Sequence, residues 1–242
     1  TAGGLNMNVR MVDCVGFPVE GALGAEENGE ARLVNTPWSE DKMEFSAAAR
    51  LGTEKVMREH STVGVVVSTD GSIGELPRAS YAPAEEEIVA EMKKSGKPFI
   101  LLINCKTPHS DEAQALGRAL EEKYGVAVAL VNCTALSAAD IEGILTLLLG
   151  EFPIRRVNID MPAWIPALGE THPLRESIYR AVVAAAGELE KIGELPRAFE
   201  MGMGEDAGAY FEDAATDLGT GEATVRLRVP TEKYFEVLSS LS

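Results

Sequence analysis

Val12-Asp13-Cys14-Val15-Gly16 is the pattern with the clearest chemical meaning in these 242 residues. An acid closing an apolar run can hold Mg²⁺ through water. A glycine three residues on can bring its backbone N–H against a phosphate oxygen, because no side chain blocks the approach. The same Asp-x-x-Gly spacing recurs at Asp140 to Gly143, inside a helical pattern where it reads as no site. Further along stand Asn104-Cys105-Lys106 and Asn132-Cys133-Thr134-Ala135, each directly after an apolar run. Polar residues placed there can meet the base of a nucleotide. Ser68 to Gly71 follows a third such run and is a candidate for nucleotide coupling or subunit contact.

Asn104 and Lys106 occupy the place where GTPases carry Asn-Lys-x-Asp, but Thr107 and Pro108 follow and the second acid is missing. That acid grips the guanine amino group, so these residues suit an adenine nucleotide better than guanine, or none. No Gly-x-x-x-x-Gly-Lys-Ser/Thr occurs in the 242 residues. A metal-binding acid without that loop is half a site, since neither an amide cradle nor its lysine faces the phosphates. Cys14, Cys105 and Cys133 each follow a predicted strand but show no Cys-x-x-Cys spacing, and His60, His109 and His172 show no ligand or triad spacing. Three cysteines make no disulfide framework and point to a reducing compartment.

Positioning these residues requires a repeated strand–helix pattern, and the first 150 residues carry one. Asn8 to Val12, Thr62 to Ser68, Pro98 to Asn104 and Val126 to Val131 read as strands. Helices are expected over Phe45 to Glu59, from Pro83 to the Gly96 stop, from the Ser110 cap to Gly125, and after the Ser137/Asp140 capping box. Between Asp13 and Phe45 lie roughly thirty polar, Gly-rich residues, long for a connection in a compact domain. The alternation βαβαβα means a parallel sheet with helices on both faces, whose ligands bind beyond the carboxyl ends of the strands. Past Phe152-Pro153 the pattern changes. Pro162 and Pro166 bar a regular helix over Met161 to Pro166. A long amphipathic helix is expected from Pro173 to Ile192, a loop over Met201 to Gly208, a half-exposed strand over Ala223 to Val229, and a last helix over Tyr234 to Leu241.

The formal charge of -16 excludes a nucleic-acid backbone as the main partner and plain electrostatic docking on an anionic membrane. Both sides of Gly150 are acidic. A 45% hydrophobic content supplies a core and argues against disorder, and no apolar run is long enough to span a bilayer.

Val12 to Gly16, Asn35-Thr36-Pro37-Trp38, Glu59-His60-Ser61-Thr62, Thr69-Asp70-Gly71, Gly96-Lys97-Pro98-Phe99 and Leu174-Arg175-Glu176-Ser177 together resemble the stage IV sporulation protein A family of spore-coat morphogenetic ATPases. The similarity runs from about Asn8 to the end. It implies an α/β fold: a P-loop NTPase of the translation-factor-related GTPase class, truncated at its N-terminus, over residues 1–150, then the start of an α/β middle domain over residues 151–242. It implies ATP and Mg²⁺ as cofactors, with Asp13 as the Walker B acid holding Mg²⁺ through water and Gly16 beside the γ-phosphate. Asn104, Lys106, Asn132, Cys133 and Thr134 would lie at the base. It further implies hydrolysis-driven self-assembly into a polymer, the basement layer of the spore coat. The place would be the mother-cell cytoplasm at the outer forespore membrane, with stage V sporulation protein M and other coat morphogenetic proteins as partners. The family's P-loop lies upstream of the match and its C-terminal region downstream. The chain therefore reads as an internal stretch, inactive alone, and a catalytically dead scaffold module is the alternative. A missing P-loop strand would open the sheet, so the Asp13 strand is expected to be displaced, to pair directly with the Thr62 strand, or to pair with another chain.

Overall fold

The computed structural model describes residues 8–27 and 29–240. The chain divides into two compact units, Thr1–Leu148 and Leu149–Ser242.

The first unit is organised by three aliphatic strands: β5 (Gly64–Thr69), β6 (Phe99–Asn104) and β7 (Val128–Val131). They form a parallel sheet in the order β5-β6-β7, with Val66 opposite Leu101 and Leu101 opposite Val128. Side chains alternate between faces, so β6 feeds two cores. Phe99, Leu101 and Ile103 pack with Val89 and Met92 of α2 (Arg78–Ser95) and Leu120 and Tyr124 of α3 (Asp111–Tyr124). Ile100 and Leu102 pack on the other face with Leu148 of α4 (Ala138–Gly150). Ile100, Leu101 and Ile103 are fully buried, each contributing about 1.5–3 kcal/mol of transfer free energy.

Helix ends follow their local chemistry. The Ser110 hydroxyl accepts the Ala113 N–H at the start of α3, and Gly125 closes it at φ 63°. Gly96 closes α2 at φ 67°. The Ser137 amide and hydroxyl donate to Asp140, whose own N–H returns to the Ser137 oxygen. These bonds hold the Asp140 carboxyl below its ordinary value.

Four local expectations give way. Asn8 to Val12 forms no strand: it is irregular chain with Val9, Met11 and Val12 exposed, and it does not pair with β5. Among the described residues no strand takes its backbone hydrogen bonds, and apolar composition alone cannot make a sheet. β5 reads as buried on both faces, yet among the described residues it is an edge, with Val65 42% and Val67 63% exposed. The expected long loop contains two small antiparallel hairpins, β1 (Glu26–Glu27) with β2 (Glu30–Ala31) and β3 (Leu33–Thr36) with β4 (Ser39–Glu44). Helix α1 (Phe45–Lys55) follows and ends in a π-helical turn, Val56–His60. Finally, α2 starts at Arg78, so Pro83 lies inside it and not in its first turn. A proline there costs one backbone hydrogen bond, to the Ala79 carbonyl.

The second unit packs helices on one face of a three-stranded sheet. β10 (Glu222–Arg228) runs parallel to β8 (Arg156–Asp160) and antiparallel to β9 (Tyr210–Asp217). Ala223, Val225 and Leu227 face the core with Ile178 of α6 (Pro173–Gly187) and Phe199 of α7 (Leu195–Gly202). Arg226 faces solvent and pairs with Asp160 and Asp213 on the two neighbouring strands. The alternation of β10 is thus the half-exposed pattern its sequence shows. His172 caps α6 by accepting the Leu174 N–H at Nδ1, with Pro173 at the first helical position.

Here the expected helix to Ile192 stops at Gly187, because Phe152 and Ile154 exchange backbone hydrogen bonds with Ile192 and Glu190. Trp164–Ala167 (α5) is one helical turn despite Pro166, whose missing N–H falls where no helical acceptor exists. Part of the expected Met201 to Gly208 loop is the end of α7. The last helix, α8, spans Thr231–Ser240; Leu241 lies outside the described residues. No helix of the described residues is long and apolar enough to cross a membrane.

Candidate functional site

Three loops leave the carboxyl ends of β5, β6 and β7, and hydrogen bonds tie them into one cluster. On the first, the Gly71 N–H donates to Thr69 Oγ1 at 3.1 Å, and the Ser72 N–H and hydroxyl both donate to Asp70 Oδ1, at 2.9 and 2.6 Å. Ser72 Oγ then accepts the Lys106 N–H at 2.9 Å, joining the first loop to the second. Asn104 Oδ1 accepts the Cys133 N–H at 3.0 Å, and Asn132 Nδ2 donates to the Lys106 carbonyl at 3.3 Å, joining the second to the third. Asn132 Oδ1 also accepts from Thr134, from N–H and hydroxyl. Both asparagines thus spend their oxygens on loop backbone. Lys106, Cys133 and Thr134 remain exposed at the rim. Cys105 is buried beneath them, and burial, followed by the charge of Asp70, pushes its thiol up. A thiol so placed is a poor nucleophile.

The floor of the first loop is fixed from below. Gly71 stands at φ 86°, and a Cβ there would come within 2.6 Å of the Arg78 backbone nitrogen. Only glycine lets the loop fold against the start of α2. Arg78 in turn donates to Ser68 Oγ at 3.1 Å and to Glu85 Oε1 at 2.6 Å, and Tyr124 adds a hydroxyl to the same oxygen at 3.0 Å. Burial pushes the Glu85 carboxyl up, but Arg78 and the hydroxyls around it hold it below its ordinary value. The acid is therefore ionised and anchors α2 to the end of β5.

Among the described residues no hydrogen bond joins Asp13 or Gly16 to the three loops. Asp13 is exposed, and its Oδ1 accepts the neighbouring Cys14 N–H at 2.9 Å. Gly16, at φ 82°, donates its N–H to Thr53 Oγ1 of α1 at 3.0 Å. Phe17 anchors the next position: it is buried in the core under the Arg50 guanidinium. Sequence reading singles out every strand-end residue of the cluster except Ser72, the hydroxyl that ties two loops. The signal for it was Asp70-Gly71-Ser72, an Asp followed two residues on by the amide it captures. Thr53 is missed as well, since a threonine within a helix carries no signal of its own. Among the described residues no group of His, Cys, Asp and Glu could hold a metal ion by itself.

Comparison with known proteins accounts for both units. The family model described as "Stage IV sporulation protein A, ATPase domain" matches residues 1–153, and "Stage IV sporulation protein A, middle domain" matches residues 154–242. The chain is 39% identical over 242 residues to Stage IV sporulation protein A of Bacillus anthracis and 38% identical to that of Bacillus subtilis. Identity to the Clostridioides difficile protein is 38% over 241 residues. Each alignment covers 98% of this chain and 48% of the relative, so the chain spans about half the length of the curated relatives it matches. No solved structure matches it.

Proposed function

The chain belongs to the stage IV sporulation protein A family, and from that premise we propose that it is part of an ATPase that polymerises as the basement layer of the spore coat. The observation that carries the nucleotide part is the cluster at the carboxyl ends of β5, β6 and β7. In open parallel sheets that edge is where ligands bind. Asn104, Lys106, Asn132, Cys133 and Thr134 would take the base. The asparagine oxygens hold the loops, and loop backbone and the Lys106 stem are left to meet adenine. The absence of a guanine-reading acid after Lys106 supports ATP over GTP. Asp13 would hold Mg²⁺ through water, and Gly16 would offer its N–H to the γ-phosphate. When bound, the metal neutralises charge on the phosphates during transfer to water.

We assign the phosphate cradle to residues of the whole protein outside these 242, and its seat to the edge of β5, which no other described strand pairs. A strand with the composition of β5 is built to be central. This supports a P-loop fold of the translation-factor-related class for the first unit. Self-assembly, recruitment by stage V sporulation protein M, contact with other coat proteins, and a place on the mother-cell side of the outer forespore membrane are parts of the same reading. They rest on family membership, and the second unit is the piece of the middle domain through which such contacts could pass.

One observation favours a catalytically dead scaffold as the second reading: the Gly16 amide is engaged by Thr53. ATP and GTP hydrolysis by the whole protein, beside the 242-residue chain, separates the two. Hydrolysis of ATP by the whole protein alone supports the proposal; no hydrolysis by either leaves the scaffold. Hydrolysis by the short chain means that residues described here as loops hold the phosphates.

A further inference from the structure

Thr53 is 1% exposed, and its hydroxyl has two partners. It donates to the Ala49 carbonyl at 2.8 Å, one helical turn back, and accepts the Gly16 N–H at 3.0 Å. The first bond fixes the direction of the oxygen lone pairs, so the second is aimed. Gly16 stands between an exposed residue and a buried one. After it, Phe17 is buried in the core beneath Arg50. Before it, Met11 is 92% and Val15 70% exposed in irregular chain. A Cβ at Gly16 would meet nothing within 4 Å, so space is not what requires glycine there, whereas its φ of 82° does. Such a residue can turn its amide without dragging a side chain, next to a neighbour that does not move.

We propose that Thr53 is a positioning residue that holds the Gly16 amide in a parked orientation, and that the amide leaves Thr53 when a nucleotide phosphate replaces the hydroxyl as its acceptor. This rests on the assignment of Gly16 to the γ-phosphate made above. The exchange is one acceptor for another, so the N–H is satisfied in both states and neither leaves an orphan donor. Removing the Thr53 oxygen unbalances it: the parked state then carries an unpaired, part-buried N–H, and the phosphate-bound state does not.

The test compares the whole protein with Thr53→Val, which keeps the shape and lacks the oxygen, and Thr53→Ser, which keeps the oxygen. MgATP affinity by calorimetry is expected to tighten about fivefold in Thr53→Val and to stay at the wild-type value in Thr53→Ser. Amide hydrogen exchange at Gly16 without nucleotide is expected to speed up in Thr53→Val only. Unchanged or weakened MgATP binding in Thr53→Val, with wild type binding normally, overturns the latch. If wild type binds no MgATP, the assignment of Gly16 to phosphate falls, and Gly16 exchange equal in all three proteins overturns the parked contact independently. Should Thr53→Val fail to fold, Thr53→Ala lacks the same oxygen and carries the same comparison.

Discussion

Replacing Gly71 by alanine tests whether the strand-end cluster is built as described. Two costs act at this position. At φ 86° the backbone lies in the left-handed region, where a Cβ costs about 1–2 kcal/mol. The new Cβ would also stand 2.6 Å from the Arg78 backbone nitrogen, which cannot rotate away as a side chain could. The loop must then lift off the start of α2, straining the Gly71–Thr69 bond and the Ser72–Lys106 bond at about 1 kcal/mol each. The sum is roughly 3–4 kcal/mol. Gly96→Ala is the control: its φ is 67°, and a Cβ there meets nothing within 4 Å, so only the backbone cost of about 1–2 kcal/mol remains. Urea denaturation followed by far-ultraviolet circular dichroism, with the two variants side by side, reads the difference. A Gly71→Ala variant no less stable than Gly96→Ala would refute the close approach of the loop to α2.

Three other perturbations have definite outcomes. Glu85→Gln should destabilise by about 1–3 kcal/mol at neutral pH. Because the folded Glu85 carboxyl lies below its ordinary value, its contribution is present above the unfolded carboxyl pKa and fades as pH falls through the folded one. The gap between wild type and Glu85→Gln should therefore close in acid, and a gap that widens would contradict the ionised Arg78–Glu85 pair. Gly52→Val should push away the Trp38 ring, which would lie 3.1 Å from the new Cβ. The expected readout is a red-shifted tryptophan emission and a loss of about 1–3 kcal/mol, and an unshifted spectrum would place Trp38 elsewhere. Asp13→Asn in the whole protein should cut ATP hydrolysis by about 10²–10³-fold while leaving the melting temperature unchanged, since Asp13 is exposed and its carboxylate accepts the neighbouring Cys14 N–H. Steady-state phosphate release checks it, and undiminished turnover would remove Asp13 from the site.

The sequence was most legible where local chemistry and packing agree. β6 is a run of aliphatic residues buried on both faces, and Ser110, Gly96, Gly125 and the Ser137/Asp140 pair all act as their types suggest. It misled where the deciding partner is not encoded nearby. Among the described residues Asn8 to Val12 has strand composition but pairs with no strand, and β5 has the composition of a central strand at an edge. The start of α2 was hidden because proline usually opens a helix, whereas here Pro83 lies exposed inside one and Pro77 stands at its cap. In the site, the strand-end asparagines were legible because strand ends of parallel sheets are where ligand chemistry sits. Ser72 and Thr53 were not, because their roles depend on which distant backbone amide reaches them: 34 residues away for Ser72 and 37 for Thr53.

The central claim is that the carboxyl ends of β5, β6 and β7 receive an adenine nucleotide. A structure of the whole protein with Mg²⁺ and a non-hydrolysable ATP analogue tests it most directly. The expected result is adenine against the Asn104–Lys106 and Asn132–Thr134 loops, a new strand on the edge of β5, and the Gly16 amide released from Thr53. Adenine bound anywhere else, with the edge of β5 still bare, would contradict it.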